Sequence, residues 1–329
     1  MKFTTKDVHF LLDPQPLFPA IGNLWRKLGI AALGCLPVVA NVHAEPDHPV
    51  KPLLWQIEGP GIKSPSYLFG TIHFGQEPIS TLHPSAAKAF EKATHLHTEV
   101  PLDTASQTAA IPLFNRDDGK TLADSLGEDL SEQLDAELKL INPKLDAQFY
   151  QPLKTWYIGF MLPSLPFLLD GTKPLDFQLW ERASKAGKKT SGMQSFEQQI
   201  TGFRNLTEEE QVFLLADALD GLKKQRAEGI NLMRDMIDAY TSGDTGKVEA
   251  VMNRALDSTM LGEHKKVGER LMQSILYDRN VIMADYVSAT LKNEPDEVQF
   301  FAVGAGHFIG KSNVRFYLEQ KGYTITRIE

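Results

Sequence analysis

Two apolar runs near opposite ends of the chain, Tyr67-Leu68-Phe69 and Phe300-Phe301-Ala302-Val303, end in the same device: glycine, two residues, histidine. The motifs are Gly70-Thr71-Ile72-His73 and Gly304-Ala305-Gly306-His307. Short apolar runs of this kind read as buried strands. Glycine at a strand end lets the backbone turn sharply, because it carries no Cβ. The histidine three residues on then stands at the mouth of a sheet, where side chains converge on ligands. Two such histidines predict one bipartite site, built from both ends of the chain.

The surroundings of the two motifs repeat as well. The first follows a strand at 66–69 and leads to a helix at about 85–93 and a strand from His95 to Val100, stopped by Pro101. The second follows a strand at 298–303 and leads to a helix at about 312–320, ended by Gly322 as a C′ glycine, and a last strand from Tyr323 to Ile328. Another strand, Leu53 to Glu58, precedes the first half. The predicted fold class is α/β: a mixed central sheet built from both chain ends, in two strand–Gly-x-x-His–helix–strand halves. A mostly helical region of about 121–295 lies between them. Within it Thr207-Glu208-Glu209-Glu210 forms a capping box, and Lys188 to Gly192 reads as a lone strand. The largest helix covers about 263–292, with Leu271, Ile275, Arg279 and Met283 as successive i+4 steps.

The first 44 residues read differently. Arg26-Lys27 precede the apolar stretch Leu28 to Ala40, then Val42-His43-Ala44 precede Glu45. This is the pattern of a secretory signal peptide cleaved after Ala44, followed by a single domain over 45–329. The apolar stretch is too short, and too broken by glycine and Pro37, to remain as a membrane span. A periplasmic or secreted protein is expected. Removing the leader takes away four positive and two negative charges, turning the net charge from −8 to −10. That balance, without a Lys/Arg cluster, excludes a broad nucleic-acid surface. The only cysteine, Cys35, lies in the leader. The mature chain therefore has no disulfide, thiolate ligand or cysteine nucleophile.

Strand 95–100 puts His95, His97 and Glu99 on one face. Glu99 marks a strand end, near where His73 emerges. His73, His307 and Glu99 together make a two-histidine, one-carboxylate metal set with positions left open for water and substrate. His95 and His97 have two readings, extra ligands or decoration of a strand. Arg279, a charge on an apolar stripe, has two as well. It is a structural arginine tying its helix to a core carboxylate, or a guanidinium that clamps a substrate carbonyl or carboxylate. Asp170 and Asp176 bracket Gly171 to Leu175 and read as local caps for a helix at Pro174. His9, His43, His48, His83 and His264 suggest no partners. There is no Gly-x-Ser-x-Gly elbow, Walker loop or His-Glu-x-x-His helix.

Leu54-Trp55-Gln56-Ile57, Leu68-Phe69-Gly70-Thr71-Ile72-His73, Glu99, Leu175-Asp176, Gly192-Met193-Gln194-Ser195, Asp278-Arg279-Asn280, Val303-Gly304-Ala305-Gly306-His307 and Gly322-Tyr323 follow one another in order. As an ordered set they resemble the TraB/GumN (TraB/PrgY/GumN) family of the Tiki-like superfamily, over nearly the whole mature chain. The resemblance implies an α/β fold and a site of His73, His307, Glu99 and Arg279. It also implies the chemistry of a superfamily that includes metal-dependent proteases, esterases and haem binders. The chain departs from the family pattern at Gln194, where relatives commonly carry Glu.

The expected function is an exported metal-dependent hydrolase acting on a peptide bond. His73, His307 and Glu99 would hold a divalent ion such as Mn²⁺, Co²⁺ or Zn²⁺, and Arg279 would stabilise the oxyanion. The alternative is a non-catalytic protein that sequesters a peptide or small ligand in the same cleft, a reading that Gln194 favours. Haem capture through one histidine is a third, without a distinctive axial-ligand signature.

Overall fold

The computed structural model of the chain describes residues 48–256 and 265–329. The expected leader, and the expected helix start near 263, lie outside these residues. Among the described residues six strands form one sheet in the order β4-β3-β5-β2-β1-β6. They are β1 (Leu54–Glu58), β2 (Ser66–Thr71), β3 (His95–Thr98), β4 (Lys189–Gly192), β5 (Gln299–Gly304) and β6 (Thr324–Ile328). β4, β3, β5 and β2 run parallel to one another, and β1 is antiparallel to both β2 and β6. The mixed sheet assembled from both chain ends is the expected one.

The apolar runs explain the centre of this sheet. Parallel strands are covered on both faces and so need continuous hydrophobic sequence. In β5 Phe300 and Phe301 point to opposite faces, and neither is exposed at all. Phe300 meets Phe69 of β2 and Phe90 of the helix Pro84–Lys92, with ring centroids 5.5 and 5.4 Å away. Phe301 stacks on His97 at 4.6 Å, and His97 in turn meets Tyr286 of the helix Asp278–Asn293. Each such fully buried phenylalanine contributes roughly 1.5–3 kcal/mol by leaving water.

Pairing β2 with β5 does more than close the core. The register sets Gly70 beside Val303 and Thr71 beside Gly304. Because the two strands are parallel neighbours, both Gly-x-x-His motifs leave the sheet at the same, carboxyl-terminal, edge. β3 lies on the other side of β5 and points the same way, which brings Glu99 to that edge too.

The middle of the chain is helical, as expected. Thr207 and Glu210 exchange side-chain bonds to each other's backbone N–H (3.2 and 2.9 Å) at the start of the helix Glu208–Glu228. One element departs from the periodicity. Lys265–Met272 and Asp278–Asn293 are α-helical, but a π-helical stretch, Gln273–Tyr277, lies between them. A π turn closes its hydrogen bonds over one more residue than an α turn, so it shifts every later side chain around the axis. The expected i+4 stripe through Ile275 and Arg279 is interrupted there. Among the described residues no helix is long and apolar enough to cross a membrane.

Candidate functional site

His73 follows β2 on a loop laced to the helix Leu175–Lys185. Leu175 N donates to Phe74 O (3.0 Å), Gln178 Nε2 to Gly75 O (2.9 Å), and Phe74 meets Phe167 edge-on. The approach is so close that a Cβ on Gly75 would stand 1.8 Å from Lys173 O, so only glycine fits. This lacing sets His73 Nδ1 3.0 Å from Asp176 Oδ2, in the first turn of the helix. The His73 side chain is 66% open to solvent. Protein still flanks the ring closely enough that burial would lower its pKa. The hydrogen bond and charge of Asp176, with help from Glu99, outweigh that and raise it to about 9.

His307 is the buried counterpart. It lies in the 3₁₀ turn Ala305–Phe308 after β5, and Phe308 stacks on Trp55 at 4.5 Å. Arg315 and Arg327 also lie over the Trp55 indole, so the tryptophan pins the turn that carries the histidine. His307 Nδ1 is 2.6 Å from Asn280 Oδ1, and Nε2 is 3.8 Å from Glu99 Oε1. Burial pushes the ring pKa down to about 4, against the pull of Glu99.

Glu99 stands just past β3, on the far side of His307 from His73 in the sheet order. Its Oε1 accepts from Gly304 N (2.7 Å), and Arg279 Nη2 donates to Oε2. Burial alone would push the carboxyl up. The Arg279 guanidinium, then His307, His73 and the Gly304 N–H, hold it well below the usual carboxylate range. Glu99 thus touches Arg279 and lies near His307, and the parallel register of β2 with β5 brings His73 to the same edge of the sheet.

Arg279 has further partners. Nη1 donates to Ile275 O (3.1 Å), a carbonyl inside the π-helical stretch. With the Gln194 amide turned so that Oε1 faces the guanidinium, it accepts from Nε (2.9 Å) and Nη2 (2.6 Å). Gln194 reaches this place because its backbone N donates to Glu99 O (3.0 Å).

Among the described residues no three His, Asp or Glu side chains stand gathered closely enough to close around an ion. The chemistry of the donors nevertheless fits one. Both histidines are anchored through Nδ1, as metal-ligating imidazoles are, and among the described residues no hydrogen bond engages either Nε2. Glu99 is held ionised, with lone pairs beyond the two bonds it accepts. Thr71 pairs by register with Gly304, and its buried hydroxyl has no hydrogen-bond partner among the described residues.

A family model described as the TraB/PrgY/gumN family matches residues 53–327. The chain belongs to the TraB/PrgY/gumN family. The match takes in both Gly-x-x-His motifs and every residue of the site above. The chain is 28% identical to Metalloprotease TIKI2 of Danio rerio, over 83% of its own length and 60% of that protein. It is 27% identical to Metalloprotease TIKI2 of Xenopus tropicalis, over 79% of its length and 57% of that protein. It is 25% identical to Metalloprotease TIKI1 of Homo sapiens, over 96% of its length and 68% of that protein. The chain thus spans about three-fifths of the first two relatives. No solved structure matches it.

Other histidines lie elsewhere in this TraB/PrgY/gumN chain. His95 and His97 stack on each other at 3.8 Å and bond to Ser191, Tyr286 and Gln299. His83 accepts from Ser85 N (3.3 Å) and caps the helix Pro84–Lys92. Two residues of the site escaped the sequence reading. Asp176, read as a local helix cap, is the partner of His73 instead. Asn280 was visible only as the neighbour of Arg279 in a motif.

Proposed function

We propose that the chain is an exported metal-dependent hydrolase of the peptidase kind. The observation that carries this reading is the delivery of two Nδ1-anchored histidines and an ionised glutamate to one edge by three adjacent parallel strands. The metalloprotease names of its relatives support it. His73, His307 and Glu99 would hold the ion, with Mn²⁺, Co²⁺ and Zn²⁺ as candidates for this nitrogen and oxygen donor set. When bound, the ion supplies Lewis-acid polarisation of a peptide carbonyl and activation of water near neutral pH.

The chain's own residues prepare that site. Asp176 orients His73 at the open side, where substrate arrives. Gly304 N–H and Arg279 fix the two Glu99 oxygens and keep the carboxylate charged although it is buried. Most of the guanidinium is spent on Glu99, Gln194 and Ile275. Arg279 is therefore first a positioning residue, and the oxyanion role falls to the Nη1 hydrogen left over. Export rests on the leader pattern, and a mature chain beginning at Glu45, found by mass spectrometry of exported protein, tests it.

The central test strips the purified protein with chelator and titrates it with Mn²⁺, Co²⁺ and Zn²⁺ by calorimetry, beside His73→Ala and His307→Ala. Wild type should bind one ion and both variants should lose it. Absence of binding by wild type sinks the metallohydrolase. Binding without cleavage of any member of a broad peptide library favours the second reading, a sequestering protein using the same cleft. Gln194 supports that reading by replacing a charged group with an amide at the site.

A further inference from the structure

We propose that Asn280 is a positioning residue that sets the tautomer of His307, holding the ring proton on Nδ1 and leaving Nε2 as the bare nitrogen that faces Glu99. This deepens the proposed function and rests on it for its purpose, though not for its geometry.

The amide of Asn280 can be oriented in only one way. Its Nδ2 lies 2.8 Å from Ser312 O, a carbonyl that can only accept. Oδ1 is therefore the atom 2.6 Å from His307 Nδ1, and it too can only accept. Nδ1 must carry a hydrogen. With the proton on Nε2 instead, two lone pairs would face each other at that distance in a place where Asn280 is 1% and His307 5% exposed, and no water could relieve them. Glu99 Oε1, at 3.8 Å, is beyond hydrogen-bond reach and so offers no comparable partner for a proton on Nε2.

The choice of an amide also has a purpose. His73, open to water, is oriented by a carboxylate. A second carboxylate behind the buried His307 would draw a full positive charge into the core. Asn280 orients the ring without adding charge, and the neutral imidazole is the form that ligates a metal. Asn280 further ties the ring to the loop beyond it, because Ser312 follows the turn that carries His307. The residue is placed by its own helix, which enters the site directly after the π-helical stretch.

Ring-labelled ¹⁵N-histidine NMR of the chelator-treated protein reads the tautomer without metal or activity, and His307→Gln assigns the resonance by its loss. Wild type near pH 7 should show His307 protonated on Nδ1 alone. Asn280→Asp, which keeps the acceptor but adds a charge, should keep the Nδ1 hydrogen and add a second on Nε2, and Asn280→Leu should lose the preference for Nδ1. A wild-type ring protonated on Nε2 overturns the proposal, even if Asn280→Leu proves unable to fold. So does an unchanged Nδ1–H form in a folded Asn280→Leu protein. Co²⁺ titration of the same samples should show affinity lost by about 10–100-fold in Asn280→Leu. If wild type binds no Co²⁺, the metal reading fails while the tautomer result stands.

Discussion

The guanidinium of Arg279 lies against the carboxylate of Glu99, and each side chain is only 9% exposed. A buried pair of this kind is worth little against a well-packed apolar replacement but is costly to break from one side, because one charge is left without its partner. Arg279→Met should therefore lower unfolding stability by about 3–5 kcal/mol, read from chemical denaturation. Arg279→Met combined with Glu99→Leu should recover most of that loss. A single variant within about 1 kcal/mol of wild type would mean that water reaches Glu99, as at an exposed pair.

The pair of His73 and Asp176 predicts a pH window. The folded histidine has its pKa raised from 6.5 to about 9. Its contribution is fully present below about 6.5 and is lost as pH rises through 9. In chelator-treated protein the melting temperature should fall across that interval, by a few degrees because the ring is open to solvent. Asp176→Asn should flatten this part of the profile. Equal slopes in the two proteins would remove Asp176 from its role.

Gly304 comes close to the Glu99 carboxylate. A Cβ there would stand 2.8 Å from Glu99 Oε1, so the carboxylate must move. Gly304→Ala should weaken Co²⁺ binding about tenfold or more, the size of effect seen when a ligand's supporting contact is lost. Calorimetry checks the affinity. Unchanged binding in a folded variant would exclude Glu99 as a ligand.

Gln194→Glu restores a carboxylate beside Arg279. It should fold normally, because the guanidinium already bonds the amide oxygen at that place. The added negative charge should tighten Co²⁺ binding several-fold by simple attraction. If the variant gains peptide cleavage that wild type lacks, Gln194 marks the chain as a binding protein. If wild type already cleaves, the amide is sufficient.

Much of this site was legible in the sequence, and the reasons are specific. The apolar runs before Gly70 and Gly304 read as buried strands, and pairing them as parallel neighbours puts both histidines at one edge. Glu99 could be placed by alternation along its strand. The sequence also offered a structural reading of Arg279, tied to a core carboxylate, and that carboxylate proved to be Glu99 itself. Asp176 was missed because a carboxylate in a first helical turn has a sufficient local explanation. Its link to His73 depends on how a distant loop lies against the helix. Asn280 was missed for a similar reason, since its value depends on the turn that carries His307. The π-helical stretch leaves no mark in hydrophobic periodicity, which assumes 3.6 residues per turn.

Because β5 lies between β2 and β3, the site joins residues made early to residues made much later. A nascent chain bearing His73 and Glu99 has no Arg279, no Gly304 N–H and no His307 until those later residues emerge. Whatever chemistry the cleft performs is therefore silent until β5 has been made and has docked. Loss of the β5 strand to a protease would silence it again, with most of the molecule still intact.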